Sequence, residues 1–166
     1  MKPFIRKSAV CLALMLMGFA AGNLVLTGLA PAADIPLIDK RQDVMKNVVL
    51  KNFVIVKDFV KKGKGSARDV QKAADALVQV ASKIPPLFPE GTGRPEVAAK
   101  KTRANPEIWF DWDEFVSAAK TLGSEAAKLS KAAAGGDKEA IAQQFVATGK
   151  KGCGGCHKTF RGAKVK

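Results

Sequence analysis

The chain has 166 residues, a length suited to one domain, and 28 Lys and Arg against 15 Asp and Glu give it a formal net charge of +13. The basic residues are scattered and no aromatic platform interleaves with them, which excludes a nucleic-acid interface. It fits solvated helix faces, or attraction to an acidic protein partner or a membrane surface.

The first stretch reads as an address. Lys2, Arg6 and Lys7 form a positive region, an apolar run from Ser8 to Ala21 follows, and Ala30-Pro31-Ala32 has the small-x-small form of a signal-peptidase site. Residues 1–32 are therefore expected to be a signal peptide, with residues 33–166 as the mature domain in the periplasm. Losing the three basic residues of the leader leaves a charge of +10. The competing reading is an uncleaved membrane anchor, because residues 9–30 are apolar enough and long enough to span. Cys11 falls in this leader, so the mature domain keeps only two cysteines and no disulfide framework.

Helical periodicity then runs from about Asp34 to Lys62, with Ile38, Met45, Val48, Val49, Ile55 and Phe59 largely on one face. The β-branched run Val54-Ile55-Val56 is a local strand signal that the long flanking periodicity outweighs. Gly63-Lys64-Gly65 ends this helix and Ser66 is a good N-cap for the next, Ala67 to Lys83, which carries Val70, Ala73 or Ala74, Leu77 and Val80 or Ala81 inward. Pro85-Pro86 stops it.

Residues 84–106 form one long irregular stretch with five prolines. It is expected to wrap one end of the domain, with Leu87 and Phe88 tucked in and no part in the chemistry. A third helix begins near Pro106 or Asp111. Its residues Trp112, Phe115, Ala119, Leu122, Ala126, Leu129 and Ala133 alternate three and four apart, the seam of a helix bundle. Its alanine end either leaves room for a flat cofactor or packs closely on a neighbouring helix. Gly135-Gly136 ends it, and Asp137 caps a fourth helix from Lys138 through His157 to Phe160. Four helices with short first and third connections make an all-α, antiparallel four-helix bundle.

The last helix carries Cys153-Gly154-Gly155-Cys156-His157, the C-x-x-C-H spacing of covalent haem attachment. Each thiol adds across one haem vinyl group, so two sulfurs are needed one helical turn apart, and the adjacent His can turn its ring under the porphyrin to ligate iron. Zinc would need four ligands, and outside this run the chain offers only Cys11 and no second His. A thioredoxin-like redox pair would need a β-α-β context that is missing, and a plain disulfide leaves the placement of the only His unexplained. Gly149, Gly152, Gly154 and Gly155 weaken the helix here, so the haem-free chain is expected to be poorly ordered at this end.

With these residues in place the chain resembles the class II cytochromes c, cytochrome c′ and its low-spin relatives, whose haem motif lies near the C-terminus. Three further stretches are similar to family signatures: Lys40-Arg41-Gln42-Asp43-Val44-Met45, Leu87-Phe88-Pro89-Glu90-Gly91-Thr92-Gly93, and Pro106-Glu107-Ile108-Trp109 followed by Trp112 and Phe115. The resemblance covers residues 35–163. It implies one haem c held by Cys153 and Cys156, with His157 as the proximal iron ligand. It also implies Arg41 and Gln42 at the haem edge, Arg41 pairing with a propionate, and Arg161 beside the His. The plain alternative for Arg41, Gln42 and Arg161 is exposed helix surface.

Met45 matches the family's distal position and is the only methionine of the mature domain. If its sulfur binds iron, the protein is a low-spin electron carrier serving a redox partner, for which the basic charge suits an acidic protein. If it only packs against the haem face, the iron is five-coordinate and open to NO or CO. Neither outcome makes the protein an enzyme. The resemblance allows a homodimer or a monomer, and a haem-free helical binding protein with a chance motif is the remote alternative.

Overall fold

The computed structural model describes residues 35–165, so the expected signal peptide lies outside the described residues. Four long helices form the bundle: α1 over residues 35–62, α2 over Ala67–Ala81, α4 over Trp112–Gly135 and α5 over residues 138–160. A short helix, α3, spans Glu107–Phe110, and a single 3-10 turn at Pro85–Leu87 interrupts the central loop. Among the described residues the only β pairing is an isolated antiparallel bridge between Ala104 and Arg161.

Local signals set most of the boundaries. The Gly63 backbone takes φ 63°, where only Gly sits without strain, and its N–H closes α1 on the Phe59 carbonyl at 3.0 Å. A reciprocal capping box opens α2. The Ser66 Oγ accepts from the Asp69 N–H at 3.2 Å, and the Ser66 N–H donates to Asp69 Oδ2 at 2.9 Å. The Asp137 carboxylate accepts from the Glu139 N–H at 2.9 Å and starts α5.

Two of the long helices are not uniform. α1 is π-helical over Val44–Leu50, and α5 is π-helical over Thr148–Gly154. The spacing of inward residues explains both. In α1 the side chains facing the bundle are Arg41, Met45, Val49 and Phe53, each four apart, and in α5 they are Thr148, Gly152, Cys156 and Phe160, again four apart. A step of four overshoots an α-helical turn of 3.6 residues, so three such steps drift by about 120° around a straight helix. A wider π turn absorbs that drift. In α4 the buried set Phe115, Ala119, Leu122, Ala126, Leu129 and Ala133 alternates four and three, and that helix stays α throughout.

Two expectations about inward residues need correction, and one buried residue was not foreseen. Ile55 is exposed and Val56 is buried instead, because the π turn shifts the register of everything after it. Trp112 stands partly in solvent, so the seam of α4 begins at Phe115. Glu125, with no place in an apolar stripe, is buried: its carboxylate accepts from Lys128 Nζ at 2.7 Å and from Gln144 Nε2 at 2.8 Å.

The core runs the length of the bundle. At one end Val56, Phe59, Val70, Leu129, Ile141 and Phe145 pack together, with Phe53 stacked on Phe145 at 4.7 Å between ring centroids. Midway, Ala126 lies among Val49, Leu77 and Val80. The small residues of α4 thus serve close helix packing. Gly152 works the same way in α5, where a Cβ would stand 3.1 Å from Leu122 Cδ1. At the other end Ala81, Ile84, Ala104, Ile108, Phe115, Leu122 and Phe160 form the cluster against which the cysteine motif rests.

Candidate functional site

The last residues of the π turn and the first of the final α-helical segment carry the motif. Cys153 and Gly154 are the last two residues of the π stretch, while Cys156 and His157 lie in Gly155–Phe160. Both thiols are free, half-buried and packed against the Phe115, Leu122 and Phe160 cluster. Burial raises the pKa of Cys153. Burial and then the neighbouring Cys153 push Cys156 up to about 11. A redox-active C-x-x-C pair works through a depressed thiol pKa, and the shift here has the opposite sign.

His157 keeps its ring in solvent contact. Its surroundings lower its pKa, through desolvation first and then through the charges of Arg161 and Arg103. An imidazole kept neutral has one ring nitrogen with a free lone pair for a metal.

Across the cluster stands Met45. It lies in the π turn of α1, is half-buried, and packs both on the cluster that the two thiols border and on the central one around Val49 and Leu77. The fold therefore brings together, at one end of the bundle, a thioether from the first helix and two thiols from the last.

Arg41 is not exposed helix surface. It is 3% exposed, and its guanidinium is held by the central loop. Nη1 donates to Thr92 Oγ1 at 2.9 Å, and Nη2 donates to the Thr92 carbonyl and to Thr102 Oγ1, each at 2.5 Å. The Phe88 ring lies 4.7 Å from the guanidinium carbon. Burial alone lowers its pKa to about 10. Among the described residues no carboxylate pairs with it. A buried cation held only by neutral groups is costly, and an anionic group beside it relieves that cost.

Gln42 is exposed, as the plain alternative has it, and its Nε2 donates to the Lys101 carbonyl at 2.7 Å. Arg161 is exposed too, with its backbone paired to Ala104. The loop, expected only to wrap the bundle, organises the site from both sides. It grips Arg41 and Gln42, and it laces the end of α5: the Asn105 N–H reaches the Phe160 carbonyl at 3.2 Å, the Gly162 N–H reaches the Arg103 carbonyl at 2.8 Å, and Arg103 Nε donates to the Gly162 carbonyl at 2.7 Å.

Sequence reasoning missed Thr92, Thr102, Phe88 and Arg103 as site residues. Their partners lie far along the chain, and no local pattern marks such pairs. The residues present fit a covalent haem. Two unpaired thiols stand one turn apart against an apolar cluster, a neutral imidazole follows, a thioether stands on the same cluster, and a buried guanidinium lacks an anion.

The comparisons point the same way. A family model described as Cytochrome C′ matches residues 36–161. The cytochrome c-556 of Rhodopseudomonas palustris is 30% identical over 150 residues, which are 85% of this chain and 93% of that protein. The cytochrome c′ of Pararhodospirillum photometricum is 34% identical over 93 residues, 56% of this chain and 70% of that one. The crystal structure of cytochrome c′ from Thermochromatium tepidum superposes with a TM-score of 0.67 at 30% identity, covering 78% of this chain and 96% of that chain. Among the described residues no helix is long and apolar enough to cross a membrane.

Proposed function

From the premise that the chain belongs to the cytochrome c′ family and binds one covalent haem c, we propose that it is a one-electron carrier whose iron is held between His157 and Met45. Cys153 and Cys156 are the attachment points, each adding its S–H across one vinyl C=C, so that no other species is consumed. The observation that carries the reading is that Met45 and both motif cysteines border one buried cluster. The haem supplies an iron centre that takes up and releases single electrons, and a thioether ligand favours its ferrous form and raises its potential.

The remaining residues set the surroundings. Phe115, Leu122 and Phe160 keep water from the cysteine side. Arg41, buried and without a carboxylate partner among the described residues, would pair with a haem propionate in this reading. Arg161 and Arg103, both near His157, leave a positive rim that suits an acidic redox partner. Export to the periplasm, with residues 1–32 removed as a signal peptide and residues 33–166 as the mature domain, belongs to the same reading.

A second reading is favoured by the matching family, cytochrome c′, and by two similar proteins of that name: a five-coordinate cytochrome c′ in which Met45 only packs, leaving the iron open to NO or CO. The visible spectrum of the reduced protein with and without CO separates them. Sharp α and β bands that ignore CO support the carrier. A broad high-spin spectrum that shifts with CO overturns it.

A further inference from the structure

Phe110, the last residue of α3, is 81% exposed, and Trp112, two residues on, also stands partly in solvent. Together they line one recess with Asp111, Asp113 and Glu114, and Trp112 lines a second with Phe88, Pro89, Glu90 and Trp109. The backbone of this corner is tied down. The Phe110 N–H donates to the Pro106 carbonyl at 3.2 Å, the Asp111 N–H to the Glu107 carbonyl at 2.9 Å, and the Phe115 N–H to the Asp111 carbonyl at 2.9 Å. Large aromatic side chains held in water on a fixed backbone suit the centre of a protein interface, because they bring contact area with little freedom left to lose.

Charge selects the occupant. Residues 104–119 hold Glu107, Asp111, Asp113 and Glu114 and no Lys or Arg, in a chain of net charge +13. Asp111, Asp113, Glu114 and Glu90 are exposed, and none of them is ion-paired among the described residues. Asp113 and Glu114 also suit the first turn of α4, but Asp111 makes no capping bond and Glu90 lies on another segment. An anionic lipid surface or an acidic protein is repelled here, and a surface rimmed with Lys or Arg is attracted. Position decides what the occupant does. Trp112 lies 5.6 Å from Phe115 between ring centroids, and Phe115 lies 5.2 Å from Phe160. Phe115 and Phe160 belong to the cluster against which Cys153 and Cys156 pack. The patch is the outer end of an aromatic stack whose inner end is the cysteine motif.

We propose that Phe110 and Trp112, ringed by Asp111, Asp113, Glu114 and Glu90, are the docking site for a one-electron redox protein with a basic rim around an apolar face. One electron passes from the ferrous centre of this protein to the oxidised centre of the partner, and no proton or bond is exchanged. A carrier must meet both a donor and an acceptor. Arg161 and Arg103 suit an acidic partner, and this patch suits the other kind. The inference deepens the carrier reading and rests on it.

The experiment uses the mature holoprotein, with a lysine-rimmed c-type cytochrome as the probe. With both proteins reduced no electron flows, and binding is read from the indole N–H signals by NMR. The chain has two Trp. The Trp112 signal should shift on titration, while that of Trp109, whose Nε1 donates to the Phe88 carbonyl at 3.0 Å, should hardly move. Phe110→Ser, and separately the triple variant Asp111→Asn, Asp113→Asn, Glu114→Gln, should each weaken binding about tenfold at an unchanged visible spectrum. Phe110→Ser should slow electron transfer to the oxidised probe by a similar factor, yet reduce ferricyanide, a small oxidant that needs no docking patch, at the wild-type rate. A Trp112 signal that does not shift, wild-type binding in both variants, or an equal loss of rate with ferricyanide overturns the proposal. So does a wild-type dimer in sedimentation that Phe110→Ser splits, which gives the patch to a second copy. Binding to phosphatidylcholine vesicles that Phe110→Ser abolishes gives it to a lipid surface and overturns it too. A bare polypeptide mass sinks the haem assignment, and a CO-responsive high-spin spectrum sinks the carrier reading, each taking this proposal with it. A haem-bearing, low-spin protein with indifferent variants sinks only the docking.

Discussion

The guanidinium of Arg41 in the first helix is clamped by Thr92 of the central loop through two hydrogen bonds, 2.9 Å to its hydroxyl and 2.5 Å to its carbonyl. A loop that looks like a surface wrap is thus part of the wall of the site, and one buried cation joins it to the helix that carries Met45.

Replacing Arg41 by Met should therefore do two things. It leaves the Thr92 carbonyl without its donor, while Thr102 Oγ1 keeps the Ala104 N–H, at a cost of about 1–3 kcal/mol, measurable by urea unfolding of the holoprotein. It also removes a positive charge from beside the proposed haem. Positive charge favours the reduced, less positive centre, so the reduction potential should fall, which spectroelectrochemistry reads directly.

Met45→Ala tests the distal assignment. In a carrier with a thioether on iron, the variant should lose the sharp reduced bands and acquire a CO-dependent spectrum, with a lower potential. In a five-coordinate protein the same substitution should leave the spin state as it was and change only the access of CO.

Glu125 makes the stability of the bundle sensitive to acid. Its pKa is held below the ordinary carboxylate value by the hydrogen bond from Lys128 and then by that from Gln144. A carboxyl whose folded pKa is depressed contributes stability that is present above its unfolded pKa and is lost as pH falls through the folded value. Asp58, held down by Lys62, and Asp69, held down by Ser66, shift in the same direction. The Glu125→Gln variant should accordingly show a shallower loss of unfolding free energy between about pH 5 and pH 3 than the wild type, with Asp58 and Asp69 contributing to the slope that remains.

Removing the haem should loosen one end of the molecule and not the other. Gly149, Gly152, Gly154 and Gly155 all lie in α5, and each costs about 0.5–1 kcal/mol of helix stability against Ala. A Cys153→Ala, Cys156→Ala double variant made without haem should lose helix signal by circular dichroism. Its amide exchange should rise over residues 148–160, while protection persists around Leu129 and Ile141 in the opposite core.

Much was legible in the residues alone because it depends on near neighbours. The C-x-x-C-H spacing, the Ser66 and Asp137 caps, the Gly63 stop and the alternating seam of α4 from Phe115 to Ala133 are all local, and each was placed from chemistry within a few positions. The expectation of one covalent haem in an all-helical bundle follows from them and from the resemblance they support.

What the linear order could not reveal depends on contacts between distant segments. That Ile55 yields its inward place to Val56, and that Met45 keeps its own, depends on a π turn that exists only because both ends of α1 must pack at once. Arg41 reads as a haem-edge residue by resemblance or as plain helix surface by position, and only the folding of Thr92 and Thr102 over it decides that it is buried. Burial of a charge is decided by what covers it, and that cover comes from a loop many turns further along the chain. Residue type and spacing determined which chemistry this protein can carry. Only packing, by setting helix register and enclosing polar groups, decided where each atom of it stands.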